Sequence, residues 1–173
     1  SVRELVDDIF TLMKPLTDQK EEDEIRKHVE AFKQLPGTEI ALDRHLEELL
    51  CWGIAFHHAG LHVLLKGLVE ELYEKKLIKV LYCTGTFALG INMPARTVVF
   101  TELTKFDGKT SRRNLQTDEY LQMAGRAGRR GIDKFGKVII LPTDDLLSYE
   151  QLKSITFGKS PCIQSKFALS YQF

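Results

Sequence analysis

Residues 61–84 read LHVLLKGLVEELYEKKLIKVLYCT. Leu61, Leu64, Leu65, Leu68, Val69, Leu72 and Tyr73 recur at the spacing that sets side chains on one helix face. That pattern stops in Glu74-Lys75-Lys76, and LIKVLYCT follows as a nearly continuous apolar run, the mark of a strand covered on both faces. A helix that feeds such a strand is one unit of a parallel α/β sheet.

The same alternation continues on both sides. Upstream, GIAFHH (53–58) reads as a brief buried strand arriving at a loop with Gly60, after a short helix marked by Leu42, Leu46, Leu49 and Leu50. Downstream, RTVVFTE (96–102) and GKVIILP (136–142) read as two more strands. The fold expected from this alternation is therefore an α/β parallel sheet flanked by helices.

Two helices precede this core. Val2, Leu5, Val6, Ile9, Phe10 and Met13 fall at helical spacing until Pro15. The stretch TDQKEEDEIRKHVEAFKQL (17–35) keeps Ile25, Val29 and Phe32 as its apolar stripe and is expected to be a largely solvated helix, ending near Pro36-Gly37. Its charged face, 17–33, is the surface most open to a partner.

With 173 residues, a formal net charge of zero, 28% charged and 43% hydrophobic residues, the chain has the size and composition of one globular domain. Any nucleic-acid contact must come from a local patch, because bulk charge will not supply it. No apolar run approaches the roughly 18–20 residues that span a bilayer, and SVRELVDDIF lacks the order of a signal peptide. Cys51, Cys83 and Cys162 stand at wide, unpatterned spacing, which fits a reducing nuclear or cytoplasmic setting.

Between the last two strands lies EYLQMAGRAGRRGID (119–133). Thr117 is suited to cap a helix, Asp118 and Glu119 to its first turn, and Gly131 to its end. On that helix Gln122, Arg126 and Arg129 (i, i+4, i+7) would share one face. Two guanidiniums side by side repel unless an anion lies between them, and their planar forks suit phosphate oxygens. Gly125 and Gly128 each cost roughly 1 kcal/mol in a helix interior, so they read as clearance for a neighbour or ligand. A solvated basic helix is the plain alternative; an arginine finger that stabilises charge in phosphoryl transfer is the sharp one.

Other chemistries have less support. Cys51, His57, His58, His62 and Cys83 match no standard zinc spacing, and no G-x-S-x-G elbow accompanies the serines. Phe56, Phe87, Phe100 and Phe106 sit in or beside expected strands and turns and read as core. The segment VLYCTGTFALGINMPARTVVF (80–100) places Thr84-Gly85-Thr86 at the end of a strand, with Gly90, Asn92 and Pro94 beyond. Small residues there let backbone N–H groups meet phosphates.

Order and spacing of these segments give a family resemblance. GIAFHHAGL, CTGTFALGINMPARTVVF and QMAGRAGRRGID resemble motifs IVa, V and VI of the second RecA-like domain of superfamily-two helicases, in the superkiller-like DExH branch with its exosome-associated RNA helicases. The resemblance covers roughly Leu50 to Phe173. It implies that Gln122, Arg126 and Arg129 face ATP, with ATP and Mg2+ bound mainly by a first RecA-like domain. It also implies that Thr84, Gly85, His58 and Gly60 lie along the nucleic-acid backbone, and that Gly90 and Asn92 couple nucleotide to strand.

The domain plan expected is a helical part with a charged insert over 1–50, a helicase core over 51–156, and an exit segment over 157–173 towards a winged-helix domain. No G-x-x-x-x-G-K-[ST] loop and no DExH box is present, so the chain is expected to be one part of a two-domain motor, inactive alone. The partners implied are single-stranded RNA held by its backbone, the first RecA-like and winged-helix domains, and RNA exosome cofactors, with no membrane. A DNA helicase of the same superfamily and an inert helicase-like scaffold are the alternatives.

Overall fold

The computed structural model describes residues 14–38, 42–84, 93–106, 112–141 and 147–158. The chain divides into two compact units, 1–93 and 94–173. Both contain parallel strand pairs with helices, as the alternating pattern requires. The helix expected over 2–13 lies outside the described residues.

In the first unit, helix α1 (Gln19–Lys33) begins at Asp18. The Asp18 carboxylate accepts from the Glu21 N–H at 2.9 Å and the Glu21 carboxylate accepts from the Asp18 N–H at 3.2 Å, so two donors that the first turn leaves open are satisfied. Ile25 and Val29 are 0% exposed and Phe32 5%. Each such side chain contributes roughly 1.5–3 kcal/mol by burial. Asp23, Glu24, Lys27 and Glu30 face water, the wet surface expected of this helix.

Helix α2 (Arg44–Cys51) is capped by Asp43, whose carboxylate accepts from the Leu46 N–H at 2.8 Å. It leads into strand β1 (Ile54–His57), then helix α3 (Val63–Glu74) and strand β2 (Val80–Cys83). Strands β1 and β2 pair in parallel from Ile54 opposite Val80 to His57 opposite Cys83. Leu65, Leu68, Val69 and Leu72 of α3 join the α1 stripe, Leu50 and Ala55 in one core. The opening stretch thus supplies the helix and second strand of a βαβ crossover, and the charged helix α1 is part of its core layer.

The second unit holds strand β3 (Thr97–Phe100), strands β4 (Thr104–Phe106) and β5 (Arg112–Asn114), helix α4 (Thr117–Ala124), strand β6 (Lys137–Ile140) and helix α5 (Tyr149–Phe157). Strands β3 and β6 pair in parallel, Thr97 opposite Lys137 through Phe100 opposite Ile140. An antiparallel pair, β4 with β5, stands between β3 and α4 and was not expected from the sequence. Phe100, Leu103, Leu115 and Ile155 form the core, with Tyr120 stacked on Phe100 at 5.0 Å between ring centroids.

Two expectations on burial need correction. Val138 and Ile139 of β6 and Tyr82 of β2 are exposed, although their runs read as covered on both faces. Among the described residues each parallel sheet is two strands wide, and too few elements pack on it to cover both of its faces. Phe100 is core as expected, Phe56 is half-buried, and Phe106 at the end of β4 is 61% exposed. Phe87 lies outside the described residues. Among the described residues, no helix is long and apolar enough to cross a membrane.

Candidate functional site

In the first unit, parallel pairing brings two of the expected segments to one edge. His58 directly follows β1, Thr84 directly follows β2, and the Thr84 N–H donates to the His57 carbonyl at 3.3 Å. Both residues therefore stand at the carboxyl end of the sheet, where α/β folds gather ligands. Gly60 lies in the turn that the Leu61 N–H closes on the His58 carbonyl at 3.1 Å. Behind this edge the half-buried Glu70 of α3 meets His57 Nε2 at 2.8 Å, which ties the strand end to the helix. Gly85, Gly90 and Asn92 lie outside the described residues.

The arginine segment lies in the second unit, and its conformation differs from the single helix expected. The N-cap is Gln116 rather than Thr117: the Gln116 N–H donates to Glu119 Oε2 at 2.9 Å. Thr117 is buried, and its hydroxyl donates to the Ser154 carbonyl of α5 at 2.9 Å. Helix α4 stops at Ala124, with the Gly125 N–H on the Leu121 carbonyl at 2.8 Å. Gln122 is on the helix, whereas Arg126 and Arg129 lie beyond it.

Tertiary pairing takes the place of the helix ladder. Ala127 forms a parallel bridge with Ala95: the Ala95 N–H donates to the Arg126 carbonyl at 2.9 Å, and the Gly128 N–H donates to the Ala95 carbonyl at 2.7 Å. Gly128 then turns with φ +90°, a conformation that side chains disfavour. The clearance that the glycines supply is for the chain's own backbone. A β-carbon on Gly128 would meet Gly136 Cα at 3.0 Å. Gly131 sits in the tight turn after Arg129, not at a helix end.

Sequence reasoning missed two acidic partners. Asp133 Oδ2 accepts from the Arg129 N–H at 3.0 Å and from its Nε at 2.8 Å, and Oδ1 accepts from Nη2 at 2.8 Å. The Arg129 guanidinium, then its main-chain N–H, holds the Asp133 carboxyl well below the usual carboxylate range. Glu119 accepts from Arg113 Nη1 and Nη2 at 2.9 and 2.8 Å and also meets Lys105. Arg113 foremost, with Gln116 N–H and Lys105, lowers the Glu119 carboxyl to about 2. The local signal for Asp133 was its place four residues after an arginine.

Among the described residues, no group of three or more His, Cys, Asp or Glu side chains is arranged to hold a metal ion. What the second unit brings together is Gln122 in the last turn of a helix and two arginines on a fastened loop, residue types whose donors suit an anion.

The fold is thus α/β with parallel strands, and an arginine loop follows helix α4. Residues 15–131 match the helicase conserved C-terminal domain, and the chain belongs to that family. It is 46% identical over 159 residues to the DExH-box ATP-dependent RNA helicase DExH11 of Arabidopsis thaliana, covering 90% of this chain and 12% of that protein. Superkiller complex protein 2 of Homo sapiens is 44% identical over 159 residues, 90% of this chain and 13% of that protein. Exosome RNA helicase MTR4 of Homo sapiens is 47% identical over 139 residues, 80% of this chain and 13% of that protein. The chain thus spans only 12 to 13% of the length of these relatives, in the superkiller-like DExH branch.

Proposed function

We propose that this chain is the second motor domain of an ATP-dependent RNA helicase that couples ATP hydrolysis to movement along RNA and its unwinding, in RNA processing or decay. One observation carries the reading: two arginines stand on a loop fastened to the sheet by main-chain hydrogen bonds, in a chain whose relatives are named RNA helicases. A guanidinium already held in place stabilises developing charge without reorganisation at the moment of reaction.

In this reading Gln122, Arg126 and Arg129 face the triphosphate of ATP, which with Mg2+ is bound mainly by a first RecA-like domain. Closure of the two domains completes the site, and hydrolysis releases it. His58, Gly60, Thr84 and Gly85 track the RNA backbone, while Gly90 and Asn92 couple it to the nucleotide. Backbone tracking reads phosphates rather than bases. The proposed plan sets 1–50 as the helical part, 51–156 as the core and 157–173 as the exit towards a winged-helix domain. Exosome cofactors are the proposed partners, in the nucleus or cytoplasm.

The test is ATP hydrolysis by the full-length protein with single-stranded RNA, single-stranded DNA or neither, beside its Arg129→Ala variant. Stimulation by RNA and a loss of at least about a hundredfold in the variant are expected. Stimulation by DNA alone would move the protein to DNA, and no hydrolysis under any condition would leave an inert scaffold.

A further inference from the structure

Arg129 and Asp133 are joined more fully than a surface ion pair. Asp133 Oδ2 is shared by the main-chain N–H and the Nε of Arg129, at 3.0 and 2.8 Å, and Oδ1 takes Nη2 at 2.8 Å. In return the Arg129 carbonyl accepts from the N–H groups of Ile132 and Asp133, at 3.0 and 2.9 Å. The turn and the side chain are therefore fixed by the same carboxylate. The Asp133 side chain is 10% exposed and that of Arg129 31%, so the acidic half is the more enclosed.

The geometry of the fork decides what this pair does. A guanidinium carries five N–H donors, and a carboxylate seated on the Nε/Nη2 edge takes two of them. Seated on that edge, the carboxylate fixes the plane of the guanidinium. An arginine bound by its inner edge is oriented, whereas one bound across its tip is masked.

We propose that Asp133 is a positioning residue for Arg129: it sets the direction in which the guanidinium approaches the transferring phosphoryl group. This rests on the reading of Arg129 as a finger residue. Without the fork, the long side chain must be ordered anew in every turnover, and its charge is misplaced for much of the time. Misplacement by about 1 Å costs roughly a hundredfold in rate at its worst.

The experiment is a double-mutant cycle in the full-length protein at saturating RNA, with kcat and KM for ATP measured separately. Asp133→Asn keeps an oxygen for the Arg129 main-chain N–H and loses half of the fork. Its kcat is expected to fall roughly tenfold, with KM for ATP within about twofold. In an Arg129→Lys background, which has no fork to orient, Asp133→Asn should add less than about twofold. Asp133→Ser, whose hydroxyl also accepts from that N–H, replaces Asp133→Asn in the cycle if the latter does not fold.

Wild-type kcat in the Asp133 variants, while Arg129→Ala loses turnover, would overturn the positioning role and leave the finger reading standing. A raised kcat would make Asp133 a mask. Equal losses in both backgrounds, with a lowered melting temperature, would make it a structural staple only. Wild-type turnover by Arg129→Ala would remove the finger reading itself.

Discussion

The backbone of Gly136 lies directly against that of Ala127: a β-carbon at Gly136 would stand 2.3 Å from the Ala127 carbonyl oxygen. Two main-chain segments touch here where the arginine loop begins and ends. Gly136→Ala therefore cannot be absorbed by moving a side chain. We expect it to destabilise the chain by about 1–3 kcal/mol, the cost of overpacking, and to lower ATP turnover of the full-length protein. Urea unfolding and a turnover assay check both; a variant as stable and active as wild type would contradict the close approach.

Glu119 gives a pH signature. Its carboxyl is lowered to about 2 by Arg113 first, and then by the Gln116 N–H and Lys105. A depressed carboxyl contributes stability that is present above its unfolded value, near 4.3, and is lost as the pH falls towards 2. Wild type should thus lose, between about pH 4.5 and pH 2, an advantage over Glu119→Gln of about 1–2 kcal/mol after solvent screening. Parallel stability curves for the two across that window would contradict it.

Thr117 and Ser154 join α4 to α5. Thr117→Val keeps the shape of the side chain and removes the donor, for an expected loss of about 1 kcal/mol in urea unfolding. Thr117→Ser should recover most of it. If Val were as stable as Thr, the hydroxyl would have no part in docking the helices.

Helix α1 separates its two faces sharply. Val29→Ala empties a fully buried site and should cost about 1–3 kcal/mol, whereas Lys27→Ala on the wet face should stay within about 0.5 kcal/mol. Similar shifts in the urea midpoint for both would mean that the stripe is not core.

How far the sequence disclosed this fold depended on the range of the forces at each element. Ile25, Val29 and Phe32, or Leu65, Leu68 and Leu72, carry their own period, so α1 and α3 could be read from neighbours a few residues apart. The strands at Val80 and Val138 were legible as apolar runs. By contrast, α4 ends at Ala124 because of Ala95, which no window around Gly125 contains. Strands β4 and β5 are three residues each, too short for a period-two pattern to declare itself. Helix α5 carries a local sign of its start, the Ser148-to-Gln151 capping box. At the candidate site the arginines were legible by type and spacing, but the partner that orients Arg129 and the loop that carries it were not.

The loop from Gly128 to Gly136 has both feet on one strand segment, because Ala127 is bridged to Ala95 and Lys137 is paired with Thr97. Its middle, where Ile132 is 62% exposed, lies outside that footing. Residues added between Asp133 and Lys134 would lengthen the loop beyond the Arg129 turn and short of the Gly136 foot, whereas a single residue added between Ala95 and Thr97 would spread the feet and shift the arginines against the sheet. The loop is thus a hairclip on one strand: open to variation before its second foot, and fixed in pitch by the single residue, Arg96, between its feet.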